Sequence, residues 1–455
     1  MSVSTSSKKF NKGKYYLSTG YKPSQIGFIP VDWHVKKIAD ISEDIFAGAT
    51  PSTSISEYWN GDIPWMSSGE INKKIIWETE KYITEKGFNS SSTKMVPENS
   101  VLIALAGQGR TRGTVAINKI KLCTNQSIAS IIPNDMVDYK FLYYNLDNRY
   151  NELRRLSAGD GGRGGLNLQI IKNIYVGLPP KSEQQKIAEI LSTWDKAIEL
   201  KEKLIEQKKE QKKGLMQRLL TGKIRWNDGS KLGSKEIKKR LEMISQGKVP
   251  EGYKKVKWFI IPWEWSFEKI GNIAEEVSIT NKDNKEYTVL SCTKYDGLVD
   301  SLKYFGKQVF SENLTNYKVV KRNHFVYATN HIEEGSIGLQ KLYDYGLVSP
   351  MYTVFKTKKE VDNDYLYFLL KTETYRRIFE TMMSASVDRR GSLRWKDFST
   401  IQIPLPPLYE QQKIAEIILT SEKEIEVLEK ELEALKQQKK GLMQLLLTGK
   451  VRVKC

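Results

Sequence analysis

Glycine-flanked arginines are the residues of this chain whose types and spacing could do chemistry, and that chemistry is the binding of a polyanion. Residues 107–113 read GQGRTRG, in which the glycines would let the backbone approach a phosphate closely. Gln108, Arg110 and Arg112 carry donors and acceptors that can reach base edges in duplex DNA. A solvated turn between two strands explains this segment about equally well, so its interpretation depends on the rest of the chain.

Other arginine-rich segments point the same way. RRLSAGDGGRGG begins at Arg154, SVDRRGSLRW begins at Ser386, and Arg376 and Arg377 stand in places that roughly match Arg154 and Arg155. Each residue alone is more simply a surface charge, whereas the set favours phosphate binding. The predicted DNA-binding residues are Gln108, Arg110, Arg112, Arg154, Arg155, Arg163, Asn330, His331, Arg376, Arg377, Arg389, Arg390 and Arg394.

No segment has the pattern of a catalytic site. The methylase motif of Asp or Asn, two prolines, and Phe or Tyr is absent from the sequence. Gly222 and Gly449 each precede a lysine, but without the earlier glycine or following Ser or Thr of a phosphate loop. A zinc site or a histidine-based triad would need closer companions than His34, His324 and His331 have. We therefore predict a non-catalytic chain that has no metal site and no cofactor of its own.

Composition limits the partners. The 455 residues carry a net charge of +18, which favours a nucleic acid first and an anionic membrane second. No apolar run approaches the length of a membrane span. The three cysteines are odd in number and far apart, so we expect a reducing, cytoplasmic location. Residues 1–19 are polar and patternless, and we predict a flexible tail there.

The elements that must position these arginines are organised around a long internal repeat. Leu178–Trp226 occurs again as Leu405–Val453 without a gap, at a constant offset (405 − 178 = 227). Each copy begins with two prolines and ends at Thr-Gly-Lys, and between them apolar residues recur at steps of four and three. We predict two helices of about 40 residues, each about 60 Å long, that pack on each other. A pair of unrelated surface helices is the alternative, which the similarity of the copies disfavours.

The steps of four and three define the predicted helix seam. Its positions are Ile187, Leu191, Trp194, Ile198, Lys201, Ile205, Lys208, Lys212, Leu215 and Leu219 in the first copy, and Ile414, Ile418, Ser421, Ile425, Leu428, Leu432, Leu435, Lys439, Leu442 and Leu446 in the second.

A weaker repeat opens the segment before each helix. Gly20–Ile41 matches Gly252–Ile273, and the shared Trp33 and Trp265 are predicted core anchors. Each segment then has short strand-like runs followed by one helical run, so both are predicted to be mixed α and β domains with one element order. The predicted strands are 100–105, 114–117, 127–132, 287–292, 324–328 and 352–355, and the predicted helices are 138–146 and 362–370.

The order of these elements, the LPPxxEQQKIAEI start of both helix copies and their QKKGLMQxLLTGK end resemble the specificity subunit of a type I restriction-modification system. The resemblance implies two target recognition domains that each read half of a bipartite, asymmetric DNA site. It also implies two antiparallel spacer helices that dock two modification subunits, which use S-adenosylmethionine to methylate adenine. Restriction and translocase subunits would complete the assembly. A coiled-coil scaffold that binds only proteins and an RNA-binding module are the alternatives.

We therefore predict an α+β fold with two mixed α/β target recognition domains separated by a pseudo-twofold pair of long antiparallel helices forming a coiled coil. The predicted segments are a tail (1–19), recognition domain 1 (20–180), spacer helix 1 (181–226), a linker with one short basic helix (227–251), recognition domain 2 (252–407) and spacer helix 2 (408–455).

Overall fold

The structure, a computed structural model, describes residues 20–454 except residues 108, 110, 157–164, 232 and 384–390, and except the side chains of residues 230 and 231. Its contacts divide the chain into two compact units. The first unit comprises the described parts of Met1–Glu202 and Lys430–Cys455, and the second unit is Lys203–Glu429. Each unit therefore contains part of both long helices, whereas we predicted the helices as segments separate from the globular domains.

The first half of the chain contains short strands followed by one long helix. The strands are β1 (Tyr21–Ser24), β2 (Gly27–Pro30), β3 (His34–Lys37), β4 (Ser42–Ala47), β5 (Trp59–Met66), β6 (Ile75–Ile76), β7 (Lys81–Ile83), β8 (Val101–Ala104), β9 (Val115–Asn118), β10 (Cys123–Thr124), β11 (Ile128–Pro133) and β12 (Tyr175–Leu178). The helices are α1 (Glu85–Asn89), α2 (Tyr139–Asn148), α3 (Tyr150–Leu156), α4 (Leu168–Lys172) and α5 (Lys181–Leu219).

The second half repeats this order. Its strands are β13 (Tyr253–Val256), β14 (Phe259–Pro262), β15 (Ser266–Lys269), β16 (Ala274–Glu276), β17 (Leu290–Thr293), β18 (Gly297–Asp300), β19 (Lys318–Lys321), β20 (Phe325–Ala328), β21 (Ile337–Leu339), β22 (Tyr345–Val348), β23 (Tyr352–Thr357) and β24 (Gln402–Leu405). Its helices are α6 (Asp228–Lys231), α7 (Ser234–Ser245), α8 (Ile270–Ile273), α9 (Ser301–Phe305), α10 (Asn363–Leu370), α11 (Glu373–Met382), α12 (Trp395–Phe398) and α13 (Leu408–Leu446).

The central sheets of the two units share the order of four strands, and the first sheet has β6 in addition. The strand order is β4-β11-β8-β9-β6 in the first unit and β16-β23-β20-β21 in the second. Ile103 pairs with Ala129 in the first sheet, and Tyr327 pairs with Thr353 in the second. Both partners are shifted by the same offset (327 − 103 = 224), so β8 and β11 pair in the same register as β20 and β23. The predicted strands coincide with β8, β9, β11, β17, β20 and β23 and are confirmed to within a few residues.

The two predicted short helices follow the sheets as α2 and α10, and each begins at an aspartate. Asp138 accepts hydrogen bonds from the Lys140 and Phe141 amides, and Asp362 accepts one from the Tyr365 amide. These side chains satisfy amides that have no partner within the helix. The short basic helix predicted in the linker is α7.

The repeated tryptophans anchor the core, as predicted. Trp33 and Trp265 are both 0% exposed. Their indole nitrogens donate to carboxylates at the start of the long helices, Trp33 to Glu183 at 3.2 Å and Trp265 to Glu410 at 3.0 Å. Each tryptophan therefore joins its sheet domain to a long helix.

The long helices α5 and α13 have 39 residues each and so extend about 60 Å. They end at Leu219 and Leu446, before the predicted segment limits of 226 and 455. Gly222 and Gly449 follow with φ values of +69° and +71°, in the left-handed region that stops a helix. Residues 223–226 and 450–454, which we predicted as part of the spacer helices, are therefore non-helical.

The two long helices run antiparallel in both units. In the first unit, Ile187 at the start of α5 shares a core cluster with Leu446 at the end of α13. In the second unit, Ile414 at the start of α13 shares a core cluster with Leu219 at the end of α5. The predicted seam is thus confirmed where it is apolar.

Polar positions of the seam form ion pairs between the helices. Lys201 lies 2.8 Å from Glu431 in the first unit, and Lys212 lies 2.6 Å from Glu422 in the second. These lysines are about three-quarters buried, since their side chains are each 24% exposed. Lysines at seam positions therefore pair across the helices and help to fix their register.

Candidate nucleic-acid interface

The loop between β8 and β9 contains the segment 107–113 that we predicted to bind DNA, and a residue of α3 hydrogen-bonds to the backbone of this loop. Arg154 on α3 donates from Nη1 to the Gly109 carbonyl oxygen at 2.7 Å and to the Tyr150 hydroxyl at 2.8 Å. Gly107 and Gly113 have φ values of +137° and +80°, which explains the glycines at these positions. Arg154, predicted as a phosphate ligand, thus holds the backbone of the predicted DNA-binding loop.

An equivalent hydrogen bond from an arginine to a loop carbonyl occurs in the second unit. Arg376 on α11 donates from Nε to the Glu333 carbonyl oxygen at 3.1 Å, in the loop between β20 and β21. Glu373 accepts from Arg376 at 3.0 Å and from Arg377 at 3.3 Å. The predicted correspondence between Arg154 and Arg376 is confirmed in position. Their contact with DNA stays a prediction, and their hydrogen bonds give both a positioning role.

The remaining candidates are distributed as follows. Gln108, Arg110, Arg163, Arg389 and Arg390 lie outside the described residues. Arg112 is half-buried in the β8–β9 loop, and Arg155 is exposed near the end of α3. His331 is exposed, with its Nδ1 3.4 Å from Glu334 Oε1.

Asn330 and Arg394 are brought together, although 64 residues separate them (394 − 330 = 64). Both line an open cleft of about 710 Å³ in the second unit. The other lining residues are Glu276, Lys318, Thr329, Met351, Thr353, Ser392, Trp395 and Lys396. Three cations, one carboxylate and one indole around a cleft of this size suit the recognition of nucleic-acid bases and phosphates.

Lys371, the residue that follows α10, connects two loops of the second unit, and the sequence carried no signal for it. Its Nζ donates to the Lys294 carbonyl oxygen at 2.8 Å and to the Gly335 carbonyl oxygen at 2.9 Å. Burial lowers the pKa of the Lys371 ammonium. Lys371 therefore ties the β17–β18 turn to the β20–β21 loop, two segments distant in sequence.

One group of described residues has the composition of a metal site. Ligand atoms of His331, Glu333 and Glu334 lie within 4.8 Å of one another. His331 and Glu334 are exposed, and exposed acidic groups of this kind are common without an ion. The prediction that the chain has no metal site stays a prediction.

In the described part of the chain, none of the helices combines the length and the apolar character that crossing a bilayer requires.

Comparison with known families gives a match over most of the chain. Residues 30–209 and 263–437 match the family described as the type I restriction modification DNA specificity domain. The two matched ranges contain the two central sheets and most of both long helices, so the internal repeat coincides with a twofold occurrence of the family domain.

Individual relatives agree. The chain is 28% identical over 457 aligned residues to the type I restriction enzyme MjaVIII specificity subunit of Methanocaldococcus jannaschii, covering 97% of this chain and 98% of that protein. The MjaIX specificity subunit of the same organism is 39% identical over 194 residues, which cover 42% of this chain and 44% of that protein. The S subunit structure from M. genitalium has a TM-score of 0.51 at 15% identity, covering 91% and 96% of the two chains. This last likeness shows the fold alone.

Proposed function

Because the chain belongs to the type I restriction-modification DNA specificity family, we propose that it reads a bipartite, asymmetric DNA site, one half with each globular domain. The observation that supports this proposal is that the two units have similar central sheets but different side chains on the loops around them. The central strand pairs share their register, whereas the β8–β9 loop carries two arginines and the β20–β21 loop carries two glutamates. Equivalent scaffolds would meet the duplex in equivalent ways, and different surfaces would read different sequences.

We propose that α5 and α13 set the spacing between the half-sites and dock two modification subunits. A repeat that presents equivalent surfaces suits two copies of one partner. The interhelical ion pairs in both units support a fixed register, which a spacer of constant length needs. Restriction and translocase subunits would join this complex.

The proposed chain supplies recognition and no catalytic residue. Its sequence lacks the methylase motif, so S-adenosylmethionine would bind the modification subunit and adenine would be flipped into that partner. The described residues contribute hydrogen-bonding and cationic side chains on loops, which suits them to binding.

Methylome sequencing tests the proposal directly. The chain would be produced together with its modification subunit in a host free of adenine methylation. We expect methylated adenines in a bipartite, asymmetric motif, and no such motif when either protein is produced alone. A methylome unchanged by this chain would contradict the proposal.

The spacing role has its own test. Seven residues, two helical turns, would be inserted into both helices, after Glu202 and after Glu429, the two positions at which the helices pass from one compact unit to the other. Seven residues add about 10 Å, or about three base pairs, so we expect the gap in the motif to grow by about three. Insertion into one helix alone is the control and should break the register. An unchanged gap after the double insertion would show that the helices do not set the spacing.

A scaffold that binds only proteins is the competing function. The net charge of +18 and the basic cleft of the second unit disfavour it. Absence of salt-sensitive DNA binding would favour it.

A further inference from the structure

The cleft that contains Asn330 and Arg394 is held rigid by aromatic packing from its own walls. Trp395 of α12 lies 5.4 Å from Phe355 of β23, and Phe398 lies 4.7 Å from Tyr327 of β20, measured between ring centroids. Phe398 and Tyr327 are both 0% exposed. Because Arg394 directly precedes α12, this packing fixes its backbone next to the sheet.

Two of the equivalent positions in the first unit are apolar. Glu276 pairs in register with Phe355, and Ile45 pairs with Ile131 (355 − 131 = 224), so Glu276 corresponds to the buried Ile45. Leu105, the residue that follows β8, is also buried and corresponds to Thr329.

The residues that precede α4 and α12 also differ between the two units. Asn167 precedes α4 as Arg394 precedes α12, and the Asn167 side chain accepts a hydrogen bond from the Ile170 amide. The Arg394 side chain makes no such cap and lines the cleft. Glu276 and Arg394 are therefore particular to the second unit and are not needed by the shared scaffold.

Glu276 is the unusual member of the cleft. It is exposed among Lys318, Arg394 and Lys396, and the described residues give it no salt bridge. Its neighbour Glu275, by contrast, lies 2.7 Å from Lys356. Successive side chains of a strand point to opposite faces, which explains why only Glu276 faces the cleft.

A carboxylate is the wrong group for a phosphate clamp, because it repels the DNA backbone. It is, however, the group that accepts a hydrogen bond from the exocyclic amine of cytosine. An arginine beside it matches the two acceptors of guanine, and each such contact discriminates by about 1–3 kcal/mol. The two residues together are therefore complementary to a G·C base pair.

We propose that this cleft reads a G·C pair within the half-site of the second unit, with Arg394 on guanine and Glu276 on cytosine. This inference rests on the proposed function and adds a base identity to it. The first unit reads its half-site by other means, because Ile45 and Asn167 stand where the second unit has Glu276 and Arg394.

The test uses the complex of the full chain with its modification subunits and a library of randomised duplexes. Bound DNA would be sequenced for the wild-type chain and for the Glu276→Gln, Arg394→Ala and Glu275→Gln variants. We expect Glu276→Gln and Arg394→Ala to lose the G·C preference at one position of one half-site, the same half for both. Affinity for the wild-type motif should fall about tenfold to a hundredfold, as the loss of one base contact implies. Glu275→Gln is the matched control and should select the wild-type motif.

Four other outcomes would each contradict the inference or the proposed function. If both cleft variants select the unchanged motif, the inference is overturned. If they weaken binding to all sequences equally with a smaller salt dependence, these residues contact phosphates and the inference is equally overturned. If the wild-type complex selects a bipartite motif that has no G·C pair in the affected half, the inference fails and the proposed function stands. If the wild-type complex selects no motif, the proposed function itself fails.

Discussion

Arg452 donates from Nε and Nη2 to the carboxylate of Glu183 at 2.7 Å each, which joins the segment beyond α13 to the start of α5. The same relationship holds between Arg225 and Glu410, with both partners shifted by 227 residues (452 − 225 = 227). In each unit, the arginine after one long helix thus meets the glutamate at the start of the other. Each glutamate also accepts from a core tryptophan, so this site joins both helices to the sheet domain.

Replacing Arg452 by alanine should destabilise the first unit by about 3 kcal/mol, because Glu183, whose side chain is 2% exposed, would keep its charge without a cationic partner. Urea unfolding of the two proteins measures this difference. Lys186→Ala is the matched control, since the Lys186–Glu189 pair is exposed and should contribute less than about 0.5 kcal/mol. Equal midpoints for Arg452→Ala and the wild type would show that the ion pair contributes nothing.

Alanine substitutions should distinguish the glycines that follow the long helices from the glycines that lie within them. A Cβ on Gly449 would lie 2.6 Å from Pro30 Cδ, and one on Gly222 would lie 2.4 Å from Pro262 Cδ. Since both glycines also have positive φ, we expect Gly449→Ala and Gly222→Ala each to lower stability by about 1–3 kcal/mol. Thermal unfolding would measure these losses.

The matched controls lie inside the long helices. A Cβ on Gly214 or Gly441 would meet nothing within 4 Å. Alanine there should raise stability by about 0.5–1 kcal/mol, because alanine favours the helix. A loss of stability in these two variants would contradict the assignment of both positions to regular helix.

His324 should make stability depend on pH. Burial lowers the pKa of its imidazole below the usual 6.5, and Lys321 and Lys356 lower it further. The unfolded chain therefore binds more protons, so this contribution to stability is complete above 6.5 and is lost as the pH falls through the folded-state pKa. We expect the urea midpoint of the wild type to fall between about pH 7 and pH 5, and that of His324→Gln to fall less. Identical slopes would rule out this role for His324.

The β8–β9 loop should contribute to DNA affinity. Replacing Arg110 and Arg112 together by alanine is expected to weaken binding without unfolding the protein. If both contact phosphates, the salt dependence of the logarithm of affinity should fall by about two. Fluorescence anisotropy at several salt concentrations measures both quantities, with Arg322→Ala as the control because that exposed arginine pairs with Asp344. Unchanged affinity at moderate salt would remove this loop from the interface.

The sequence by itself determined the elements whose signals are local or repeated. The long helices follow from the seam and from the prolines and glycines at their ends. The six strands and the helices α2 and α10 follow from short apolar runs and from the aspartates that precede the helices. Trp33 and Trp265 could be assigned to the core because the repeat retains them.

Only the tertiary structure decided which distant residues meet. Nothing local indicates that Arg452 bonds Glu183, that Arg154 and Arg376 fasten loop carbonyls, or that Glu276 joins Arg394 in one cleft. The charge of a side chain is readable from its type, but its partner is set by strand pairing and helix packing across more than forty residues. The physical reason is that an arginine can donate hydrogen bonds to a phosphate, a carboxylate or a carbonyl oxygen. Which acceptor it binds depends on which one the fold places within about 3 Å.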